Sequence, residues 1–71
     1  MITNANADER ITRVLAEWKA ENGKTNADVA AALGVSESTL RRRMSGESQW
    51  LFMEATKAAS LTGCKLIEFV A

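Results

Sequence analysis

"TNADVAAALGVSESTLRRRMSG", residues 25–46, decides how the chain folds. Thr25 stands three residues before Asp28, the spacing at which a hydroxyl accepts from a free helical amide, and the Asp28 carboxylate suits a helix N-terminus. Val29, Ala30 and Leu33 fall on one helical face, and Gly34 ends that segment after about eight residues. Ala30 is small where a second helix must cross the first. Gly34 allows the positive φ that a tight bend needs. Val35 plugs the corner, and Ser36 caps the next helix. There Leu40 and Met44, spaced i and i+4, make the buried stripe, and Gly46 is the stop.

In mechanical terms this is a helix-turn-helix over about residues 25–45. The flanks extend it. Ile11, Val14, Leu15 and Trp18 fall at i, i+3, i+4 and i+7 and predict a helix from about Ala7 to Asn22, stopped by Gly23. Asn6 is the expected N-cap, with Glu9 completing a capping-box-like pair. A fourth helix is expected from Gln49 or Trp50 to Leu61, closed by Gly63. A short fifth is expected over 65–70, carrying Leu66, Ile67, Phe69 and Val70. Residues 1–6 are expected to fray. The fold class is all-α: a compact bundle of four to five short helices, with residues 1–71 as a single domain.

Composition narrows the chemistry. A chain of 71 residues buries only about 60% of its unfolded surface, but 46% hydrophobic residues argue against disorder. Proline is absent, and helix formers abound. Cys64 is the single cysteine, so no internal disulfide forms; its apolar setting reads as a small buried residue. With no His and no Tyr, there is no Cys–His nucleophile and no usual zinc site. The acids are scattered, with no metal loop or Gly-rich phosphate loop. An enzyme, a metal, a cofactor or a small-molecule ligand is therefore not expected. No apolar run reaches the roughly 20 residues of a membrane span. "MITNANADER" lacks the basic and apolar regions of a signal peptide. A cytoplasmic location with no membrane partner is the expectation.

Nine basic and nine acidic residues cancel. Their placement does not. Residues 1–23 hold Arg10, Arg13 and Lys19 against Asp8, Glu9, Glu17 and Glu21, whereas residues 36–46 hold Arg41, Arg42 and Arg43 against Glu37 alone. Positive charge is focused on one short helix.

The 25–46 stretch resembles the helix-turn-helix of the phage repressor and Cro-like (lambda repressor-like) family, often written T-Q-x-x-L-A-x-x-L-G-V-S-x-S-T-L-x-R-x-x-x-G. Thr25, Val29, Ala30, Leu33, Gly34, Val35, Ser36, Ser38, Thr39, Leu40 and Gly46 fit it. "EATKAASLTGCKLIEFV", residues 54–70, is similar to the family's fourth and fifth helices through Glu54, Ala59, Gly63, Leu66 and Glu68. The resemblance covers residues 8–70. It departs at Lys24 and Ala58, where bulky apolar residues are usual, and at Asn26, where Gln is usual.

The resemblance implies a regulator of transcription that binds double-stranded DNA, acting as a repressor on a palindromic operator and binding as a homodimer. The chain is compatible with a complete small Cro-like protein and equally with the N-terminal domain of a longer repressor. It implies that Glu37, Ser38, Arg41 and Arg42 meet base edges in the major groove. Arginine suits this, since it donates two parallel hydrogen bonds to guanine O6 and N7. Arg43 borders the buried face and is assigned to a phosphate or a carboxylate. Thr25 and Asn26 are candidate phosphate contacts, with Ser45 and Ser48 weaker ones. Simpler roles stand beside these: a solvated face for the arginines, a helix-dipole charge for Glu37, a local hydrogen bond for Asn26. Two rival functions remain open. One is an antitoxin-type regulator that also binds a toxin; the other is a helical protein-interaction domain without DNA binding, favoured by the zero net charge.

"QWLFMEA", residues 49–55, sets Trp50, Leu51, Phe52 and Met53 in a row. A helix turns about 100° per residue, so they cannot all face one core. Together with Phe69 and Val70 they are candidate dimer contacts; loose packing of the helix start is the alternative.

Overall fold

Side-chain caps and left-handed glycines set the limits of the helices. The computed structural model of the chain describes residues 5–70, and the side chains of residues 6–69. In chain order the helices are α1 (Ala5–Glu21), α2 (Asn26–Leu33), α3 (Glu37–Met44), α4 (Phe52–Thr62) and α5 (Ile67–Val70). The all-α fold class holds.

The central pair follows the sequence closely. Thr25 Oγ1 accepts from the Asp28 amide at 3.2 Å, and the Thr25 amide donates to Asp28 Oδ2 at 2.9 Å, a complete capping box. Gly34 sits at φ 73°, the left-handed conformation that closes α2. Ser36 Oγ accepts from the Thr39 amide at 3.1 Å and caps α3. The α2 C-terminus gains a tertiary partner, because Lys57 Nζ of α4 donates to the Leu33 carbonyl at 3.4 Å.

The flanking helices depart from expectation at their ends. α1 is already helical at Ala5, so Asn6 lies inside it and is not its N-cap. The fraying expected of residues 1–6 does not hold for Ala5 and Asn6; residues 1–4 lie outside the described residues. The reason is tertiary. Ala7 is fully buried, and Asp8 Oδ1 accepts from the Trp50 amide at 3.2 Å, tying the first turn down. α4 starts at Phe52 rather than at Gln49 or Trp50: Leu51 is extended (φ −81°, ψ 153°), and its amide donates to Glu54 Oε1 at 2.9 Å. α5 is shorter than expected, beginning at Ile67.

Ile11 and Leu15 of α1, Val29, Ala30 and Leu33 of α2, Leu40 of α3 and Ala55, Ala58 and Ala59 of α4 form one core, with Trp50 and Phe69. The inner face of α4 is alanine, so helices approach it closely while the two aromatics supply the bulk. This accommodates Ala58, where the resemblance leads to a larger residue. Val14, Trp18, Val35, Met44 and Cys64 pack against the rim.

The same packing corrects part of the dimer assignment. Trp50 and Phe69 are 0% and 1% exposed, so neither is available to a partner. The Trp50 indole N–H donates to Thr12 Oγ1 at 3.0 Å, which satisfies its polar edge inside the core. Leu51, Phe52 and Met53 are 41%, 38% and 70% exposed. They lie outside because Leu51 precedes the helix and the inward positions of its first turn belong to Glu54 and Ala55. The side chain of Val70 lies outside the described residues.

Candidate nucleic-acid interface

Burying Leu40 turns the opposite face of α3 outward. Arg41 and Arg42 are exposed, as are Glu37 and Ser38 in the first turn. The Arg41 guanidinium makes no hydrogen bond among the described residues. Arg42 lies back along its own helix, with NH1 3.4 Å from Ser38 Oγ and NH2 3.5 Å from Thr39 Oγ1. Both contacts are long and wet, so releasing them to a ligand costs little.

Several of the residues singled out in the sequence come together. Asn26, Ser38, Arg41, Arg42 and Ser45 line one open cleft, floored by Leu40 and Met44. The N-terminus of α2 thus faces the outer side of α3. Two further residues line the cleft that sequence reasoning did not assign to it, Lys19 and Glu47. Lys19 reaches it from the last turns of α1, and its Nζ donates to Asn26 Oδ1 at 2.8 Å. No periodicity in the sequence relates α1 to this face.

The remaining assigned residues lie elsewhere or are already engaged. Glu37 stands at the start of α3 outside the cleft. The Thr25 hydroxyl oxygen and amide are both taken up by Asp28. The Thr25 amide first, and its hydroxyl second, hold the Asp28 carboxyl below its ordinary pKa, with Lys24 adding a smaller pull. Ser45 Oγ donates to the Arg42 carbonyl at 3.2 Å and accepts from the Glu47 amide at 3.4 Å, shaping the turn after α3. Ser48 is half-buried, and its amide also donates to the Arg42 carbonyl, at 3.0 Å. Gly46, at φ 84°, makes that turn possible.

Arg43 is the main correction. Its Nε donates to Glu54 Oε1 at 2.8 Å and its NH2 to Glu54 Oε2 at 3.3 Å, a fork-on-carboxylate pair. The two side chains are 16% and 8% exposed. Of the two roles open to Arg43, the carboxylate is the one the structure shows. It lines a different cleft, with Asp8, Glu9 and Arg13, in which two acids balance the two arginines. Glu54 receives both this fork and the Leu51 amide, so one carboxylate ties the end of α3 to the start of α4. Glu54 entered the sequence reading only as a family match; nothing local identified its partner.

A family model of the helix-turn-helix matches residues 15–69, from the middle of α1 into α5. The chain belongs to the lambda repressor-like helix-turn-helix family. No curated protein and no solved structure matches it. As a helix-turn-helix domain it is a DNA-binding regulator, of a family that is not typically enzymatic. Its α2–turn–α3 unit is the motif, and α3 occupies the position of the recognition helix. Among the described residues, no helix is long and apolar enough to cross a membrane.

Proposed function

We propose that this helix-turn-helix domain is a sequence-specific repressor of the Cro-like, phage type, which reads a palindromic operator by setting α3 in the major groove. The observation that carries the reading is the cleft-facing pair Arg41 and Arg42, exposed beside Ser38 and opposite the buried Leu40. Arg41 and Arg42 act as the base readers, with Ser38 and Glu37 adding discrimination at the start of the helix; a carboxylate accepts from a cytosine amine and repels phosphate. Asn26 contacts the backbone, and Ser45 serves as a minor backbone contact. The acidic remainder of the chain limits non-specific binding.

The domain acts as a homodimer on DNA. α3 has eight residues, about 12 Å of helix, and one such helix reads few base pairs. The domain extends 28 Å along its longest axis, while half-sites repeat every 34 Å or so on one side of the duplex. A second copy is needed to read the second half-site. Leu51, Phe52 and Met53 are consecutive exposed apolar residues available to it, and Ile67 of α5 is exposed as well.

The test is duplex binding as a function of salt for the wild type, Arg41→Ala and Arg42→Ala. Each substitution is expected to cost about 1–3 kcal/mol on the preferred sequence and to relax base preference. Wild-type affinity is expected to fall steeply with added salt. Unchanged binding and preference in both variants refutes the assignment.

A further inference from the structure

The cleft contains a cation that belongs to neither helix of the motif. Lys19 of α1 is half-buried, and its ammonium sits 2.8 Å from Asn26 Oδ1 at the start of α2. An ammonium only donates, so it selects the amide oxygen and turns Nδ2 away from itself. Nδ2, with its two N–H groups, makes no hydrogen bond among the described residues, and the residue lines the same cleft as Arg41 and Arg42. Lys19 keeps two further N–H groups. The cleft's side chains are therefore rich in donors, with Glu47 its one lining carboxylate. Such a set fits an oxygen-rich anion that is recognised by charge and position, which is a phosphodiester.

We infer that Lys19 and Asn26 form one phosphate clamp, extending the DNA-binding surface onto α1. Lys19 has two tasks in it. It holds the Asn26 amide with its donors toward the strand, and it supplies the charge that displaces a counterion. The clamp positions the duplex and reads no base. The inference rests on the DNA-binding reading above.

The experiment is a salt titration of duplex binding, on a preferred and a random sequence, for the wild type, Lys19→Met, Asn26→Ala, the double variant and Lys19→Arg. Thermal melts of each establish that the variants are folded. Lys19→Met and Asn26→Ala are each expected to weaken binding on the order of tenfold on both sequences, with base preference unchanged. Lys19→Met is expected to reduce the slope of log affinity against log salt by about 0.9, and Lys19→Arg to retain it. The double variant is expected to bind no more weakly than the weaker single one, because a clamp is lost once. An unchanged slope in Lys19→Met overturns the inference, leaving Lys19 a structural tie between α1 and α2. So do losses that multiply in the double variant, which make the two residues independent. Should Arg41→Ala and Arg42→Ala alter base preference while Lys19→Met changes nothing, the clamp alone fails. Should the wild type not bind duplex DNA, the underlying reading fails first.

Discussion

Glu54→Gln tests how the recognition helix is held. Glu54 Oε1 accepts from the Leu51 amide at 2.9 Å and from Arg43 Nε at 2.8 Å, and Oε2 faces Arg43 NH2 at 3.3 Å. Glutamine keeps the volume, so no cavity opens. Its oxygen can retain the two shorter bonds, but its amide nitrogen then meets the Arg43 NH2 donor head-on. Charge-assisted hydrogen bonds contribute about 1.5–3 kcal/mol each. Removing one partner of a fully buried ion pair costs about 3–5 kcal/mol. Here Arg43 is 16% exposed and can partly regain water, so the lower range applies. The expected loss is about 2 kcal/mol, or roughly 8–16 °C in Tm for a domain of this size. Thermal and urea melts followed by circular dichroism measure it, with the urea m-value unchanged. Added salt should restore little, since the pair is shielded from solvent ions. A double-mutant cycle with Arg43→Met should give a coupling of about 1–3 kcal/mol. A loss below about 0.5 kcal/mol, within the range of ordinary surface substitutions, refutes the reasoning. A second refutation comes from DNA: if Arg43→Met lowers the salt slope by about 0.9, Arg43 meets phosphate after all.

Asp28→Asn should abolish a pH-dependent part of the stability. The folded-state pKa of Asp28 is lowered, so its contribution is complete above the ordinary carboxylate pKa and is lost as pH falls through the folded value. Wild type and variant should therefore converge in acid, and a gap that widens on acidification contradicts the capping box. Gly34→Ala should cost about 1–2 kcal/mol for its left-handed φ of 73°. The added Cβ also meets Lys57 Nζ at 3.0 Å, so chemical denaturation should show at least the backbone cost. Trp50→Ala should lose about 3–5 kcal/mol as a core truncation. Phe52→Ala should stay within about 0.5 kcal/mol in stability while weakening self-association in sedimentation; an unchanged sedimentation profile for a wild type that dimerises removes that patch from the interface.

The helices of this chain were largely legible in its sequence because their determinants are local. Thr25 and Ser36 reach amides three residues away, and Gly34, Gly46 and Gly63 supply left-handed turns where the stripes end. Leu40 at the centre of α3 was enough to turn Arg41 and Arg42 outward, because a 3.6-residue period fixes which face a residue takes. Asn6 failed as a cap because the burial of Ala7 and the Asp8–Trp50 bond, across 42 positions, extended the helix past it. Trp50 and Phe69 read as surface candidates because their packing partners lie on distant helices.

By itself, then, the sequence determined where the chain is helical, where it turns and which cations leave the core. Only the tertiary structure decided which polar groups are already spoken for. Arg43 goes to Glu54, eleven residues on, the Trp50 indole to Thr12 and the Asn26 oxygen to Lys19. A helical period assigns a face but names no partner. The partner depends on how α1, α2, α3 and α4 are placed about one another, and the packing of a shared core sets that placement. Of three adjacent arginines with the same local signature, one is therefore part of the scaffold and two stay exposed along the cleft.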